Sequence, residues 1–281
     1  MKTNPVVYAL LVISFYVSGC THKLAPQGHY QDTPVVADGN TNDWSVPLRF
    51  SNEKYTFQYN ITNDSKFIYI CILSTDDATQ LRILKNGMTI YFDPKGKKNK
   101  DISIAFPLLK TDDENSYNRK RNRNGNPIKP SDETVLINKL TQQVSYFETK
   151  GFLNIENGQF GIADTRSHIK VAIKYNNDSV LVYEAIIPIN IITGSDLTEK
   201  QAAKNFSVCV TLNAVLGQEG DNGNSSRPSF GGGMRGGMMG GGMHMGGGMR
   251  GGGGRNSNSQ RTQGSKEEDT WYQFRLADKK G

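Results

Sequence analysis

The residues best suited to bind a ligand directly are methionines and a histidine in one glycine-rich stretch. Residues 231–254 hold six of the eight methionines of the chain, and Met243, His244 and Met245 are consecutive. Thioether sulfur is a soft ligand that suits Cu(I), and imidazole also binds copper. Glycine offers no preorganisation, however, so metal binding would have to order a highly flexible segment. We therefore predict a slack, disordered loop here, with soft-metal (copper) binding at these three residues as the alternative.

Other chemistries find few of the residues they need. Arg235 and Arg250 each begin an Arg-Gly-Gly triplet, which is typical of segments that bind single-stranded nucleic acid. The export signal described below removes that partner, so we predict no nucleic acid. The four histidines form no His-Glu-x-x-His motif, and there is no Gly-x-Ser-x-Gly. Paired carboxylates can come from distant strands and leave no local motif. We predict a protein that is not an enzyme and has no cofactor.

A calcium loop is a further candidate, and it fails at its most specific positions. Asp38, Asn40 and Asn42 have the spacing of the first three ligands of an EF-hand loop. The sixth position, which requires glycine for a sharp turn, is Asp43, and the last position, which requires glutamate, is Arg49. This segment is therefore predicted to be a plain turn.

The N-terminus predicts the compartment. Lys2 precedes an apolar run over residues 5–17, which is shorter than the roughly 20 residues of a membrane-spanning helix but fits the core of a signal peptide. The run ends in Val-Ser-Gly-Cys, which resembles a bacterial lipobox. That resemblance implies a signal peptide over 1–19 and a lipid attached to Cys20, followed by a polar tether over 20–34. Two or three acyl chains anchor a protein stably, so we predict a cell-envelope lipoprotein of the outer membrane, facing the periplasm or the surface.

Short strands are predicted to hold any site on the rest of the chain. Alternating or continuous apolar runs predict strands, whereas Leu136, Leu140, Val144 and Phe147 form one helical stripe. The absence of strand–helix alternation indicates a mainly β fold, an antiparallel β-sandwich of the jelly-roll or immunoglobulin-like kind with one packed helix. The predicted elements are strands at 55–61, 66–73, 88–94, 101–107, 168–175, 179–189, 205–215 and 271–277, a helix at 131–148 and a short helix at 195–203.

The domain is predicted to span residues 35–281, with two disordered parts. Residues 110–130 lack periodicity and form a polar loop, and a Gly/Met-rich insertion occupies about 218–269. The lysine-rich turn at 95–100 is predicted to be a solvated hairpin loop. Cys71 and Cys209 could pair in an exported protein, but two cysteines define no disulfide framework, and we favour free thiols.

Three segments together resemble a known family. They are VVADGNTNDWSVP (35–47), MTIYFDPKGKKNKDISIAFP (88–107) and VYEAIIPINII (182–192). In this order they are similar to the DOMON-like β-sandwiches related to family 9 carbohydrate-binding modules. The resemblance implies a β-sandwich and a module that binds a glycan or another envelope component.

The ligand site of that family does not transfer to named residues. Its sugar-binding members hold the ligand between aromatic faces, and this chain has only Trp44 and Trp271. Trp44 matches the Asp-Trp of the family and is predicted to be a core anchor, because a buried indole is a large packing element. A haem site would need an axial ligand paired with Met88, and no histidine is placed to provide it. The ligand-binding residues therefore stay unassigned, and the tyrosines remain candidates for a platform.

Overall fold

Two six-stranded sheets form the molecule. The computed structural model describes residues 24–109, 130–215 and 266–279. Its strands are β1 His29–Tyr30, β2 Phe50–Ser51, β3 Gln58–Asn63, β4 Phe67–Ser74, β5 Met88–Asp93, β6 Ile102–Leu109, β7 Val144–Lys150, β8 Gly158–Gly161, β9 Lys170–Tyr175, β10 Leu181–Pro188, β11 Asn205–Leu212 and β12 Glu268–Arg275. Its helices are α1 Asp77–Asn86, α2 Pro130–Gln143, α3 Asn190–Thr193 and α4 Glu199–Ala202.

The strand order confirms the predicted antiparallel sandwich. The first sheet runs β1-β3-β4-β10-β9, with β2 also paired to β3, and the second runs β12-β11-β5-β6-β7-β8. Among these strands only the short β1 pairs in parallel with its neighbour. Side chains from the inner faces of both sheets form one apolar core, which includes Phe92, Phe106, Phe147, Tyr183 and Phe274. Successive side chains of a strand point to opposite faces, so the residues between these core positions face outward.

The helices differ from the sequence prediction. The predicted helix over 131–148 ends at Gln143, and Val144–Lys150 is instead strand β7, paired with β6 and β8. The chain also has a second helix of ten residues, α1, where the sequence analysis expected one packed helix. Its N-terminus is capped by Asp76, whose carboxylate accepts a hydrogen bond of 2.8 Å from the backbone N–H of Thr79.

Residues 26–30, which lie within the predicted tether, contact the sandwich. Strand β1 pairs with β3, and the backbone N–H of Gly28 donates to the carbonyl of Arg275 at 2.7 Å. The backbone N–H of Arg275 in turn donates to the carbonyl of Pro26 at 2.8 Å. The described part of the predicted tether therefore pairs with the last residue of β12. Among the described residues, no helix is long and apolar enough to cross a membrane.

The two cysteines that follow Cys20 are free and buried. Cys71 lies on the outer face of the first sheet and Cys209 on the outer face of the second, so they are not bridged. Burial raises the pKa of Cys71 far above its usual range and that of Cys209 to about 11. Both thiols are therefore protonated at neutral pH and weakly nucleophilic. The preference for free thiols is confirmed.

One arginine joins the strand ends from which the Gly/Met-rich insertion leaves and returns. Arg82 of α1 donates hydrogen bonds to the carbonyls of Leu212 and Asn213 at 2.9 Å each, and to the carbonyl of Lys266 at 2.6 Å. It also donates to the carboxylate of Glu268. Arg82 thus ties the end of β11 to the start of β12. We call this arrangement the stem.

Candidate functional site

The residues singled out by the sequence as direct ligands fall outside the described part of the chain. Cys20 precedes it, and Met243, His244 and Met245 lie between positions 215 and 266. Lipid attachment and soft-metal binding therefore stay predictions. Within the described ranges, no three histidine, cysteine, aspartate or glutamate side chains are grouped so that they could hold a metal ion.

The outer face of the first sheet is covered by the segment 35–48, which we call the strap. Val35, Trp44 and Leu48 of the strap form a second, smaller core with Tyr69 and Cys71 and with neighbouring side chains of β10. Trp44 is only 7% exposed. The prediction that Trp44 is a core anchor is confirmed, and this face is closed to a large ligand.

A buried carboxylate fastens the strap to the sheet. Glu184 of β10 accepts the indole N–H of Trp44 at 2.7 Å, and its second oxygen accepts the backbone N–H groups of Asp38 and Gly39 at 2.9 and 2.7 Å. Burial raises the pKa of Glu184, while the hydrogen bonds from Trp44, Gly39 and Asp38 oppose that shift. The Asp-Gly and Asp-Trp of the strap are therefore explained by structure, since both meet one carboxylate.

The outer face of the second sheet carries two partly exposed aromatic residues. Trp271 of β12 is paired with Cys209 of β11, and Cys209 is paired on its other side with Tyr91 of β5. Tyr91 is in turn paired with Ser103 of β6. Residues directly opposite in a sheet share a face. Trp271 and Tyr91 are both partly exposed, and Cys209 between them is buried. Two strand spacings separate the aromatic residues, about 9–10 Å. We call this surface the aromatic face.

Charged and hydroxyl groups border the aromatic face in fixed positions. The ammonium group of Lys100 lies 4.8 Å from the centre of the Tyr91 ring and 2.7 Å from a carboxylate oxygen of Asp269. The hydroxyl of Thr211 donates to the other Asp269 oxygen at 2.7 Å.

Both members of the Lys100–Asp269 pair are ionised. Burial alone would lower the pKa of Lys100, but the hydrogen bond and charge of Asp269 outweigh it, so that pKa is raised. Burial alone would raise the pKa of Asp269, but hydrogen bonds from Lys100 and Thr211 hold it below its usual value. An ordered ion pair beside two aromatic rings suits a ligand that presents both hydroxyl groups and apolar C–H faces.

Two shallow depressions adjoin these surfaces. One, of about 190 Å³, lies beside the aromatic face and is lined by the loop at 52–54 and by Glu268, Asp269 and Thr270. The other, of about 220 Å³, lies between the strap and the strands β1 and β3, with Tyr30, Asp43 and Thr62 in its lining. The first shares Asp269 with the border of the aromatic face, and its other lining residues lie outside that face.

Part of this site could be predicted from the sequence. Trp271 and Tyr272 are adjacent in a strand, so one of them must face the core and the other must face outward. The structure places Tyr272 against the core and Trp271 outside. Tyr91 follows the same alternation in β5. The distance between Trp271 and Tyr91 depends on how β12, β11 and β5 are paired, and no local pattern predicts that.

Comparisons with known proteins add a distant likeness. No protein-family profile and no curated protein matches the chain. A solved structure of a family 9 carbohydrate-binding module from Caldicellulosiruptor kristjanssonii in complex with glucose is similar over 66% of this chain and 76% of that chain. The sequence identity is 10% and the TM-score is 0.33. At this level no residue of the glucose complex can be matched to a residue of this chain.

Proposed function

We propose that this protein is a non-catalytic, lipid-anchored component of the cell envelope that binds carbohydrate on its aromatic face. The observation that carries the proposal is the outward pair Trp271 and Tyr91, held two strands apart on one face of a sheet. The axial C–H groups of a sugar ring carry partial positive charge and stack on the negative face of an aromatic ring. Lys100 and Asp269 would supply hydrogen bonds to ring hydroxyls.

Two aromatic rings spaced along one face fit an extended oligosaccharide better than a single sugar. The two rings offer separate stacking positions, and the adjoining depression adds polar groups at one end. Stacking gains energy at each position, whereas an open face encloses little of a monosaccharide. We therefore expect affinity to rise with chain length until both aromatic positions are occupied.

Replacing Trp271 with alanine is expected to weaken oligosaccharide binding by roughly five- to thirty-fold, because one aromatic contact at the centre of an interface contributes about 1–2 kcal/mol. Tyr91→Ala should have a smaller effect in the same direction. Tyr55→Ala is the matched control, since Tyr55 is 83% exposed and belongs to neither sheet. Binding is measured by isothermal titration calorimetry, which does not need Trp271 as a reporter; in the wild type, tryptophan fluorescence should also respond through Trp271 and not through the buried Trp44.

A panel of purified glycans decides whether the ligand class is right. If no glycan changes the fluorescence of the intact protein at millimolar concentration and a glycan array is blank, carbohydrate is the wrong class of ligand. If Tyr55→Ala weakens binding as much as Trp271→Ala, the ligand binds elsewhere on the protein.

Changing Cys20 to serine is expected to move the protein from the membrane pellet to the soluble fraction, because the acyl chains that hold it are then missing. Each buried methylene contributes about 0.8 kcal/mol, so no weak surface contact replaces two or three chains. Cys71→Ser is the matched control, since that thiol is buried and free. Cell fractionation and the mass of the N-terminal peptide provide the measurement. Unchanged fractionation of the Cys20→Ser protein would contradict the lipid anchor.

A further inference from the structure

The lysine-rich loop between β5 and β6, residues 94–100, is a preformed structure rather than a slack turn. Asp93 is buried, and its carboxylate accepts the backbone N–H groups of Lys95, Lys97 and Asn99 at 2.8, 2.6 and 3.0 Å. These bonds fix the backbone of the loop and leave the side chains free to point away from it. We call residues 94–100 the lysine hairpin.

The lysine hairpin presents positive charge to solvent. Lys95, Lys97 and Lys98 are exposed, and no carboxylate of the described residues forms an ion pair with any of the three. Lys204, also exposed, precedes the residue of β11 on which the hairpin packs. The acidic residues that flank the hairpin in the chain are the buried Asp93 and the exposed Asp101, so the exposed lysines leave an excess of positive charge on this surface.

The N-terminal segment enters the domain at the same place. The backbone N–H of Ala25 donates to the side chain of Asn205 at 3.0 Å. On its other side Asn205 meets Gly96 so closely that a Cβ at position 96 would lie 2.6 Å from the Asn205 Cβ. The side chain of Gln273 also donates to the Gly96 carbonyl. One residue, Asn205, thus contacts both the first described part of the chain and the lysine hairpin.

The length of chain before Ala25 limits how far this end can stand from an anchor. Five residues join Cys20 to Ala25, and an extended chain spans at most about 3.5 Å per residue, or roughly 17 Å. The stem lies at the other end of β11, seven residues beyond Asn205 and so about 24 Å away. A lipid on Cys20 would therefore hold the lysine hairpin, and not the stem, next to the bilayer.

We propose that the lysine hairpin is a docking surface for anionic lipid headgroups, which orients the domain on its membrane. The inference rests on the lipid anchor of the proposed function for its geometry and on exposed, fixed charge for its chemistry. Lysines attract an anionic surface individually and act within a screening length of about 8 Å at physiological salt. The short chain allows the hairpin to approach the membrane within that range. Docked in this way, the domain directs its stem away from the membrane.

The first test measures binding to vesicles without the lipid anchor. The complete chain from position 20, carrying Cys20→Ser, is sedimented with vesicles of phosphatidylcholine containing or lacking phosphatidylglycerol. We expect binding only to the anionic vesicles, weakening as salt is raised. Lys95→Gln, Lys97→Gln and Lys98→Gln together should lower the partition coefficient by about fivefold for each lysine, roughly 100-fold in total.

A charge-matched variant separates a docking surface from general basicity. Lys85, Lys139 and Lys174 lie away from the hairpin, on α1, α2 and β9, and their combined change to glutamine removes the same charge. This control should lose less than about fivefold, the contribution of one lysine. Equal losses in the two triple variants, or no binding of the parent chain to anionic vesicles at low salt, would overturn the docking surface.

The second test uses the lipidated protein in its own membrane. Lysines are acetylated with a water-soluble reagent and quantified by mass spectrometry, before and after release of the protein by detergent. Docking predicts that the hairpin lysines are protected in the membrane and react after release, while Lys139 and Lys174 react equally in both. Equal reactivity of the hairpin lysines in both states would overturn the proposal. If the protein carries no lipid anchor, the wild type and Cys20→Ser will both be found in the soluble fraction. The vesicle test does not use the anchor, so its result stands apart from that outcome.

Discussion

Replacing Glu184 with alanine is expected to lower the free energy of unfolding by about 3–5 kcal/mol, because it leaves buried donors without an acceptor. The carboxylate accepts three N–H groups, one from Trp44 and one each from the backbone of Asp38 and Gly39. Glu184 itself is fully buried. Unfolding in urea, followed by circular dichroism, provides the measurement. A loss below about 1 kcal/mol would show that the strap is not held by this residue.

A double-mutant cycle isolates the contact between Glu184 and Trp44. In Glu184→Gln the amide NH₂ must face either the indole N–H or the two backbone N–H groups, so one donor meets another. Trp44→Phe removes the indole N–H and most of that conflict. The double variant is therefore expected to be more stable than the sum of the two single losses predicts, by about 1–2 kcal/mol. Additive losses would contradict the direct hydrogen bond.

The same carboxylate predicts a dependence of stability on pH. Burial raises the pKa of Glu184 from its usual 4.5, so the folded protein binds the proton more tightly than the unfolded chain does. Stability from this group is then fully present below the unfolded pKa and is lost as the pH rises through the folded pKa. Relative to Glu184→Gln, the wild type should lose stability above about pH 4.5 and level off once the carboxylate is ionised. If the stability of the wild type relative to Glu184→Gln instead increases as the pH rises, this assignment is contradicted.

Arg82→Met is the second change expected to have a large effect, a loss of about 2–4 kcal/mol in the free energy of unfolding. Its guanidinium donates four hydrogen bonds at the stem, and its side chain is only 10% exposed. Methionine keeps most of the packing volume but leaves three carbonyl groups without their donor. Arg166→Met is the matched control, because that arginine is 78% exposed and pairs with Asp164 on the surface. The control should unfold at the same urea concentration as the parent.

A shortened chain tests whether Arg82 acts by holding the two strand ends together. If residues 215–265 are replaced by a short turn, β11 and β12 form an ordinary hairpin. Closing a short loop costs less conformational entropy than closing a long one. Arg82→Met should then cost less than it does in the full chain. The shortened protein should also keep its binding to glycans, since Trp271 and Tyr91 lie outside the replaced residues. A full loss from Arg82→Met in the shortened chain would mean that its role is packing of α1 alone.

Strand alternation made most of the fold predictable. The strand predicted at 88–94 is β5, Met88–Asp93, and the one predicted at 205–215 contains β11, Asn205–Leu212. The helix predicted over 131–148 was too long, because Val144 and Phe147 continue a helical spacing by chance. Pairing with β6 on one side and β8 on the other outweighs that local pattern.

Helix α1, which was not predicted, and the aromatic face show two different limits of prediction from sequence. Helix α1 has an aspartate cap before it and Gly87 after it, which are ordinary end signals, so the sequence did contain the information. The aromatic face is different in kind. Trp271 and Tyr91 are far apart in the chain and share one face of the sheet only because β11 pairs with both of their strands. Likewise, a single glutamate in the apolar run of β10 gives no sign that it accepts the strap's N–H groups.

The stem has a consequence for how this protein can change over generations. Arg82 holds the end of β11, at Leu212, next to the start of β12, at Glu268. The residues between these two strands therefore begin and end at one fixed position on the domain. Selection for a folded protein then acts only weakly on their length and composition. Duplications, deletions and biased repeats can accumulate there and be kept for what they bind. New ligand-binding sequences can thus evolve at the stem with little effect on the folding of the sandwich.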